Sequence, residues 1–234
     1  MQSIGKDIAT TTMNSNMKPK NRAAATVMQL RSEIMLGNLE PGDLLAEASV
    51  AERLGISRVP VREALFMMER EGLVDFSPTG RAYVKKLSPR DFEELYVLRL
   101  ALEPLAAKLA AAHVRANLWE LEANVAATEN ATSIPDMTRL DLDFHQIILA
   151  RSGNTRLLKL WSSLRSELEL WLGRLHRLRE IHTKITRTQT VSTHREIIDC
   201  FRQQSPAACE RMIAQHIQSW RDWLPNSESV LESK

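Results

Sequence analysis

Apolar residues recur at helical spacing through most of the chain and predict three short helices in its first third. The pattern predicts one helix over residues 22–36 that stops at Gly37, and a second over residues 47–54 that stops at Gly55. A third helix is expected over residues 58–71. Two helices joined by a tight turn that contains glycine form a helix-turn-helix. The sequence therefore predicts this motif for the second and third helices.

Two short apolar stretches after the third helix predict a β-hairpin. They read LVDF and AYVKK, and the segment SPTGR lies between them. Gly80 gives this turn its conformational freedom, and Arg81, Lys85 and Lys86 make the hairpin basic. A basic hairpin that follows a helix-turn-helix is typical of a wing.

Long helical patterns with few glycines and almost no strand-like alternation begin at Ser88. In the segment SPRD, Ser88 is the expected N-cap, Pro89 the first helical residue and Asp91 the capping-box acid. We expect a mainly α protein, with an N-terminal winged helix-turn-helix followed by an all-α antiparallel helical bundle. The predicted parts are a disordered leader over residues 1–20, the winged helix domain over 21–87, the all-helical effector domain over 88–225 and a tail over 226–234.

Composition indicates a globular protein but does not identify a binding partner. The chain has 234 residues, 44% of them hydrophobic, which is enough for a substantial core, and its net charge of +2 does not by itself indicate nucleic acid. No apolar run has the length of a membrane span, and the first residues do not resemble a signal peptide. We therefore predict a cytoplasmic protein without membrane contact. Cys200 and Cys209 are expected to be buried thiols.

The third predicted helix begins with an unusual amount of positive charge. Arg58 and Arg62 lie on one face of its first turns, although the helix dipole favours anions at this end. An external anion would resolve this conflict. With the helix-turn-helix and the basic hairpin beside it, we interpret that anion as DNA, contacted in the major groove.

The segment LGISRVPVREALFMMEREGLV closely resembles the DNA-reading segment of GntR-type transcriptional regulators. Two residues depart from the pattern of that family, since Val59 replaces a common Thr and Ala48 occupies a position often held by Arg or Lys. The resemblance implies a homodimer that recognises a palindromic operator. The residues it places on DNA are Ser57, Arg58, Val59, Arg62, Gly80 and Arg81.

The effector domain contains a candidate set of metal ligands. Asp141 and His145 are four residues apart and share one side of a helix. His194 and His216 are equally far in sequence from the predicted turn at Ser205, so in an antiparallel helix hairpin they lie at one height. Three imidazoles and one carboxylate suit Zn²⁺, and nickel, manganese or iron are not excluded. The remaining histidines, His113, His176 and His182, are interpreted as ordinary core or surface residues.

The segments RLALEPLAAKLAA, DLDFHQIILARSGN and THREIIDCF resemble landmarks of the FCD-type effector domain found in the FadR branch of GntR-type regulators. The resemblance implies a metal held by Asp141, His145, His194 and His216 at the floor of a ligand cavity. It also implies that Arg99 meets the carboxylate of the ligand.

The leading hypothesis is a transcriptional repressor, not an enzyme, controlled by a small organic acid that binds at the metal. The acid would change the relative placement of the two winged helices of a dimer. Alternatives are a purely structural metal and a regulator that responds to the metal itself. A metal-dependent hydrolase is a remote alternative, because no further acidic or histidine residue stands at a spacing that supplies a general base.

Overall fold

This computed structural model describes residues 19–86 and 88–223 of the chain. The predicted leader up to residue 18 and the predicted tail lie outside the described residues, as does the side chain of His182. The chain divides into two compact units between Lys86 and Leu87. The described residues are mainly helical, with one small two-stranded sheet, which confirms the predicted fold class.

The first unit is a winged helix-turn-helix. Its core forms where α1 packs against α3, and Leu30, Ile34, Val61, Leu65 and Met68 are almost completely buried there. These residues recur at the spacing that places apolar side chains on one helix face. The elements of this unit are α1 Pro19–Leu36, α2 Glu47–Leu54, α3 Arg58–Arg70, β1 Val74–Phe76 and β2 Ala82–Val84.

Two glycines allow the chain reversals that this unit needs. Gly55 ends α2 with a φ of +65°, a left-handed conformation that favours glycine, and α3 begins three residues later. Gly80 has a φ of +74° in the turn between β1 and β2. The two strands are antiparallel, with Val74 opposite Val84 and Phe76 opposite Ala82. The hairpin predicted from LVDF and AYVKK is thereby confirmed.

The second unit is an all-helical bundle. In it α4 packs against α6 and α9, and α5 packs against α6 and α8. Phe144, Trp161 and Phe201 are completely buried in its core. None of the helices within the described ranges is both long and apolar enough to cross a membrane. The helices are α4 Pro89–Ala116, α5 Trp119–Glu129, α6 Ile134–Arg151, α7 Thr155–Thr183, α8 Thr186–Gln203 and α9 Pro206–Trp223.

Two local sequence signals have the structures they predict. The Ser88 hydroxyl accepts a hydrogen bond from the backbone N–H of Asp91, and the Asp91 carboxylate accepts one from the backbone N–H of Ser88. This is the predicted capping box at the start of α4. Cys200 and Cys209 are both buried free thiols, with their sulfur atoms 3.9 Å apart.

Candidate metal centre and DNA-binding surface

Three helices of the second unit bring four potential metal ligands together. Asp141 and His145 come from successive turns of α6, His194 from α8 and His216 from α9. One ligand atom from each residue can be chosen so that all four atoms lie within 4.8 Å of one another. Bonds of about 2 Å to oxygen and imidazole nitrogen let a single ion bridge donors separated on this scale. The structure thus assembles the four residues that the sequence singled out.

The helix hairpin of α8 and α9 sets the spacing between two of these imidazoles. The ring centroids of His194 and His216 are 5.5 Å apart, as expected for residues at one height on antiparallel neighbours. The ring of Phe144 stacks on His194 with a centroid distance of 3.8 Å and an interplanar angle of 9°. This stacking on the face of the imidazole ring helps to fix its orientation.

The cluster is buried and chemically unsatisfied within the described part of the chain. The four residues are 0–7% exposed. Both carboxylate oxygens of Asp141, Nε2 of His145 and both ring nitrogens of His194 and His216 have no hydrogen-bond partner among the described residues. His194 Nε2 lies 3.2 Å from Asp141 Oδ1, but the pair does not have hydrogen-bond geometry. Buried polar atoms without partners are costly, and the four residues together could hold a metal ion that would satisfy them.

Electrostatics keep these groups in the protonation states that bind cations. Burial lowers the pKa of His194 and His216, so both imidazoles are neutral and have a free lone pair near neutral pH. Burial alone would raise the pKa of Asp141. The neighbouring imidazoles of His194 and His145 outweigh this effect, so the pKa of Asp141 lies below its ordinary value. An ionised carboxylate beside two neutral imidazoles fits a divalent cation.

Sequence reasoning missed Glu103 of α4, which contacts the cluster. Its carboxylate is 2% exposed and lies 2.7 Å from Nδ1 of His145. Arg99, four residues earlier on the same helix, donates to it from Nε at 2.7 Å, and Trp161 donates from its indole nitrogen at 2.7 Å. Burial alone would raise the pKa of Glu103, but Arg99 and His145 hold it well below its usual range. Arg99, the predicted contact to the ligand carboxylate, is therefore in an ion pair inside the bundle.

His176 was predicted to be an ordinary core or surface residue. The structure buries it and also places it near the cluster. The residue is completely buried, and its Nδ1 lies 2.8 Å from the hydroxyl oxygen of Thr138. That hydroxyl donates its proton to the carbonyl of Ile134, so it accepts from His176. Burial lowers the pKa of His176 to about 4, and the charge of Asp141 opposes that shift. A lone histidine between Leu175 and Arg177 gave no sequence signal for this position.

The predicted DNA-contacting residues all lie on the surface of the first unit. Ser57, Arg58, Val59 and Arg62 are exposed at the start of α3, and Gly80 and Arg81 are exposed at the turn of the wing. The space around Gly80 is open, with no described atom near the position of a Cβ. The opposite face of α3 is buried, which leaves this face free for a partner.

Two details of α3 affect the DNA-facing side chains. Ser57 occupies the N-cap position, but its hydroxyl makes no capping hydrogen bond. Arg62 forms a two-point ion pair with Glu47 of α2, at 2.7 and 2.9 Å, and its side chain is 63% exposed. The carboxylate of Glu47 is therefore a negative charge within the protein that partly balances the arginines at the start of α3. The pair also joins α3 to α2 across the turn of the helix-turn-helix.

A helix-turn-helix with an exposed basic face and a wing, joined to an all-helical domain, defines a DNA-binding transcriptional regulator. Comparison with known families agrees. Residues 22–84 match the model of the gntR family of bacterial regulatory proteins, and residues 94–219 match the FCD domain. The chain belongs to the GntR family of transcriptional regulators and carries an FCD domain, which confirms the resemblance found in the sequence.

Curated relatives and solved structures are also transcriptional regulators. The chain is 28% identical over 195 residues to the HTH-type transcriptional regulator YdhC of Bacillus subtilis strain 168, covering 80% of this chain and 84% of that protein. It is 26% identical over 191 residues to a probable repressor of the D-xylose utilization operon of Paenarthrobacter nicotinovorans, covering 80% and 82%. A transcriptional regulator GntR from Rhodococcus sp. RHA1 has the same fold, with a TM-score of 0.72 and 19% identity over 88% of this chain and 99% of that one.

Proposed function

We propose that this regulator is a cytoplasmic homodimer that represses transcription from a palindromic operator. The DNA contacts would come from Ser57, Arg58, Val59, Arg62, Gly80 and Arg81, which are all exposed. The two guanidinium groups on α3 suit phosphates or guanine edges in the major groove. A hydroxyl without a capping role, at Ser57, is available for the same purpose.

An apolar stripe on α4 supports the homodimer. Val97, Leu98, Leu105 and Leu109 are 42–58% exposed on this one helix of the effector unit. Several exposed apolar side chains on one element mark an interaction surface, and a symmetric partner can cover the same stripe on both copies. Sedimentation of the purified protein at micromolar concentration tests this: a monomer would contradict the proposal.

We further propose that Asp141, His145, His194 and His216 hold a divalent metal ion, with zinc as the first choice and nickel, manganese or iron as alternatives. The observation that carries this proposal is the buried cluster of one carboxylate and three imidazoles, in which every described ring nitrogen except Nδ1 of His145 lacks a hydrogen-bond partner. When bound, the ion would supply positive charge that attracts the carboxylate of a small organic acid.

The effector is proposed to be a small carboxylate. Arg99 keeps its proposed role at the acid, because the residue also lines a narrow cavity whose apolar walls come from α4, α7 and α9. Two of its nitrogens are bonded to Glu103, which holds the guanidinium in place. Binding of the acid would then change the affinity of the protein for its operator through a coupling free energy.

A thermal-shift experiment tests the metal and the acid separately. Protein stripped with a chelator is compared with the same protein reloaded with Zn²⁺, each with acetate, lactate, malate or gluconate. We expect metal to raise the melting temperature and one or more acids to raise it further only when metal is present. Stabilisation by an acid that does not depend on metal would contradict the proposed site.

A structural or directly sensed metal is the second candidate, because the four ligands are almost completely buried. In that case metal alone would raise the melting temperature and no acid would add to it. Titration of metal into an operator-binding assay without an acid then separates the two. An effect on DNA affinity indicates a metal-responsive regulator, and its absence indicates a structural metal.

Hydrolysis at the metal is not favoured as the function. A hydrolase needs a general base that can accept a proton from water at the metal. Glu103, the buried carboxylate beside the cluster, already accepts from Arg99, Trp161 and His145. The relatives and both domains are also those of transcriptional regulators.

A further inference from the structure

A carboxylate from α4 reaches the metal cluster, although α4 supplies none of its four proposed ligands. Glu103 receives three donors from three different helices: Arg99 on α4, Trp161 on α7 and His145 on α6. The Nε of Arg99 and the indole nitrogen of Trp161 both bond to Oε1 at 2.7 Å, and Nδ1 of His145 lies 2.7 Å from Oε2. With donors on both oxygens, the carboxylate has one orientation inside the bundle.

This arrangement determines which nitrogen of His145 carries the proton. A carboxylate paired with arginine is ionised and can only accept hydrogen bonds, so Nδ1 of His145 must be the donor. In a neutral imidazole the other nitrogen, Nε2, then has a free lone pair. Nε2 of His145 is buried and has no hydrogen-bond partner among the described residues.

The other two histidines of the cluster differ in this respect. Both ring nitrogens of His194 and both of His216 lack hydrogen-bond partners in the described part of the chain. Their tautomers are therefore not selected by a protein hydrogen bond. His145 is the one member of the described cluster whose lone pair is directed by a neighbour.

We propose that Glu103 is a positioning residue for the metal centre, which fixes the His145 ring with Nδ1 protonated and presents Nε2 to the ion. This inference rests on the proposed metal-binding function. A carboxylate behind a ligating histidine orients the ring and raises its basicity, and its loss lowers metal affinity by about 10- to 100-fold. The role also accounts for an ion pair that is fully buried, where a glutamate and an arginine would otherwise gain little.

The test measures the affinity of Glu103→Gln for Zn²⁺ by competition with a chromophoric chelator, and the ¹⁵N shifts of the histidine rings in metal-free protein. We expect about 10- to 100-fold weaker binding and a mixture of His145 tautomers. Signals of His145 are identified by their absence from His145→Gln. The control Thr128→Val removes another buried hydrogen bond of the same unit, to Asn124, and should leave both readouts unchanged.

The outcomes separate this inference from the proposed function. If the wild-type protein does not bind the metal, the proposed metal site fails with it. If the wild type binds and Glu103→Gln binds equally well with unchanged ring shifts, only the role of Glu103 is overturned. Should Glu103→Gln not fold, the wild-type ring shifts still decide, because a His145 protonated at Nε2 in the metal-free protein contradicts the proposal.

Discussion

The two candidate sites of this protein are built in opposite ways. The DNA-binding surface consists of exposed side chains from adjoining turns of one short helix and one hairpin. The metal centre consists of buried side chains from α6, α8 and α9, backed by a carboxylate from α4. Substitution in the first site should change binding alone, because exposed groups contribute little to stability. Substitution in the second should change binding and folding together.

The two sites also differ in how they compensate charge. Arg62 is paired with Glu47 at the solvent-exposed surface. Ion pairs are weak there, and the arginine can readily exchange this partner for a phosphate. Arg99 and Glu103 neutralise each other away from water, where an unpaired charge is costly, and the carboxylate of Asp141 lies beside imidazoles. The exposed site can therefore be altered residue by residue, whereas the buried site behaves as a unit.

Removal of one proposed metal ligand should have the largest effect. Zinc-binding free energies of about 10 to 16 kcal/mol shared by four ligands predict a loss of roughly 2.5 to 4 kcal/mol for His194→Ala. Chelator competition measures this loss, and thermal unfolding should show that Zn²⁺ no longer stabilises the variant. The exposed His113→Ala is the matched control and should bind as the wild type does. Equal loss in both variants would mean that the metal binds elsewhere.

Loss of Arg62 should weaken operator binding without weakening the fold. Arg62→Ala is expected to lower affinity about 5- to 150-fold, measured on DNA selected from a random pool by the wild-type protein. Lys at this position should not restore binding, because it lacks the planar fork of donors. The control is Arg90→Ala, an exposed arginine paired with Glu94 on α4. Unchanged affinity and salt dependence in Arg62→Ala would show that this residue faces away from DNA.

Mild acid should destabilise the effector unit selectively. All six histidines lie beyond residue 112, and burial lowers the folded-state pKa of His176 to about 4, with His194 and His216 shifted in the same direction. The unfolded chain takes up protons near pH 6.5, so the stabilisation is complete above that pH and is lost as pH falls toward 4. The slope is about 1.4 kcal/mol per pH unit for each such imidazole.

Hydrogen exchange of metal-free protein at several pH values resolves the two units in this experiment. Peptides from the effector unit should lose protection between about pH 6.5 and pH 5, while those of the winged helix keep theirs. His176→Gln should reduce the slope by about one proton, and His113→Gln should not. Equal loss of protection in both units would contradict burial of neutral histidines as the cause.

The two N-cap serines should give the smallest and most direct contrast. Ser88 forms a capping box with Asp91, so Ser88→Ala should destabilise the effector unit by about 1 kcal/mol in urea unfolding. Ser57 makes no capping hydrogen bond, so Ser57→Ala should leave stability nearly unchanged while it weakens DNA binding. If Ser57→Ala destabilises as much as Ser88→Ala, the hydroxyl of Ser57 caps α3 in solution.

The DNA-binding unit could be predicted from the sequence because its signals are local. Stop signals at Gly55, an N-cap at Ser57 and alternation in the hairpin each act over a few residues. The four proposed metal ligands could also be found, since Asp141 and His145 are one helical turn apart and His194 and His216 are symmetric about a turn. In each case helix geometry lets the number of residues between two positions predict where they lie relative to each other.

Glu103 and His176 could not be assigned in this way. The pair of Arg99 and Glu103, four residues apart, does predict an ion pair on one helix, but such pairs are usually exposed. Their burial, and the contact of Glu103 with His145, depend on how α4 packs against α6. No spacing in the chain encodes that contact, because the two residues belong to different helices without a shared turn.

The sequence by itself determined the order of the elements, the basic face of α3 and the four residues of the proposed metal centre, since each follows from helical periodicity, capping or turn chemistry. Only the tertiary structure decided which buried groups surround those residues, how the charge of Arg99 is balanced and which nitrogen of His145 contacts Glu103. These depend on packing between helices distant in the chain, where side-chain shape and desolvation, not local spacing, select the neighbours.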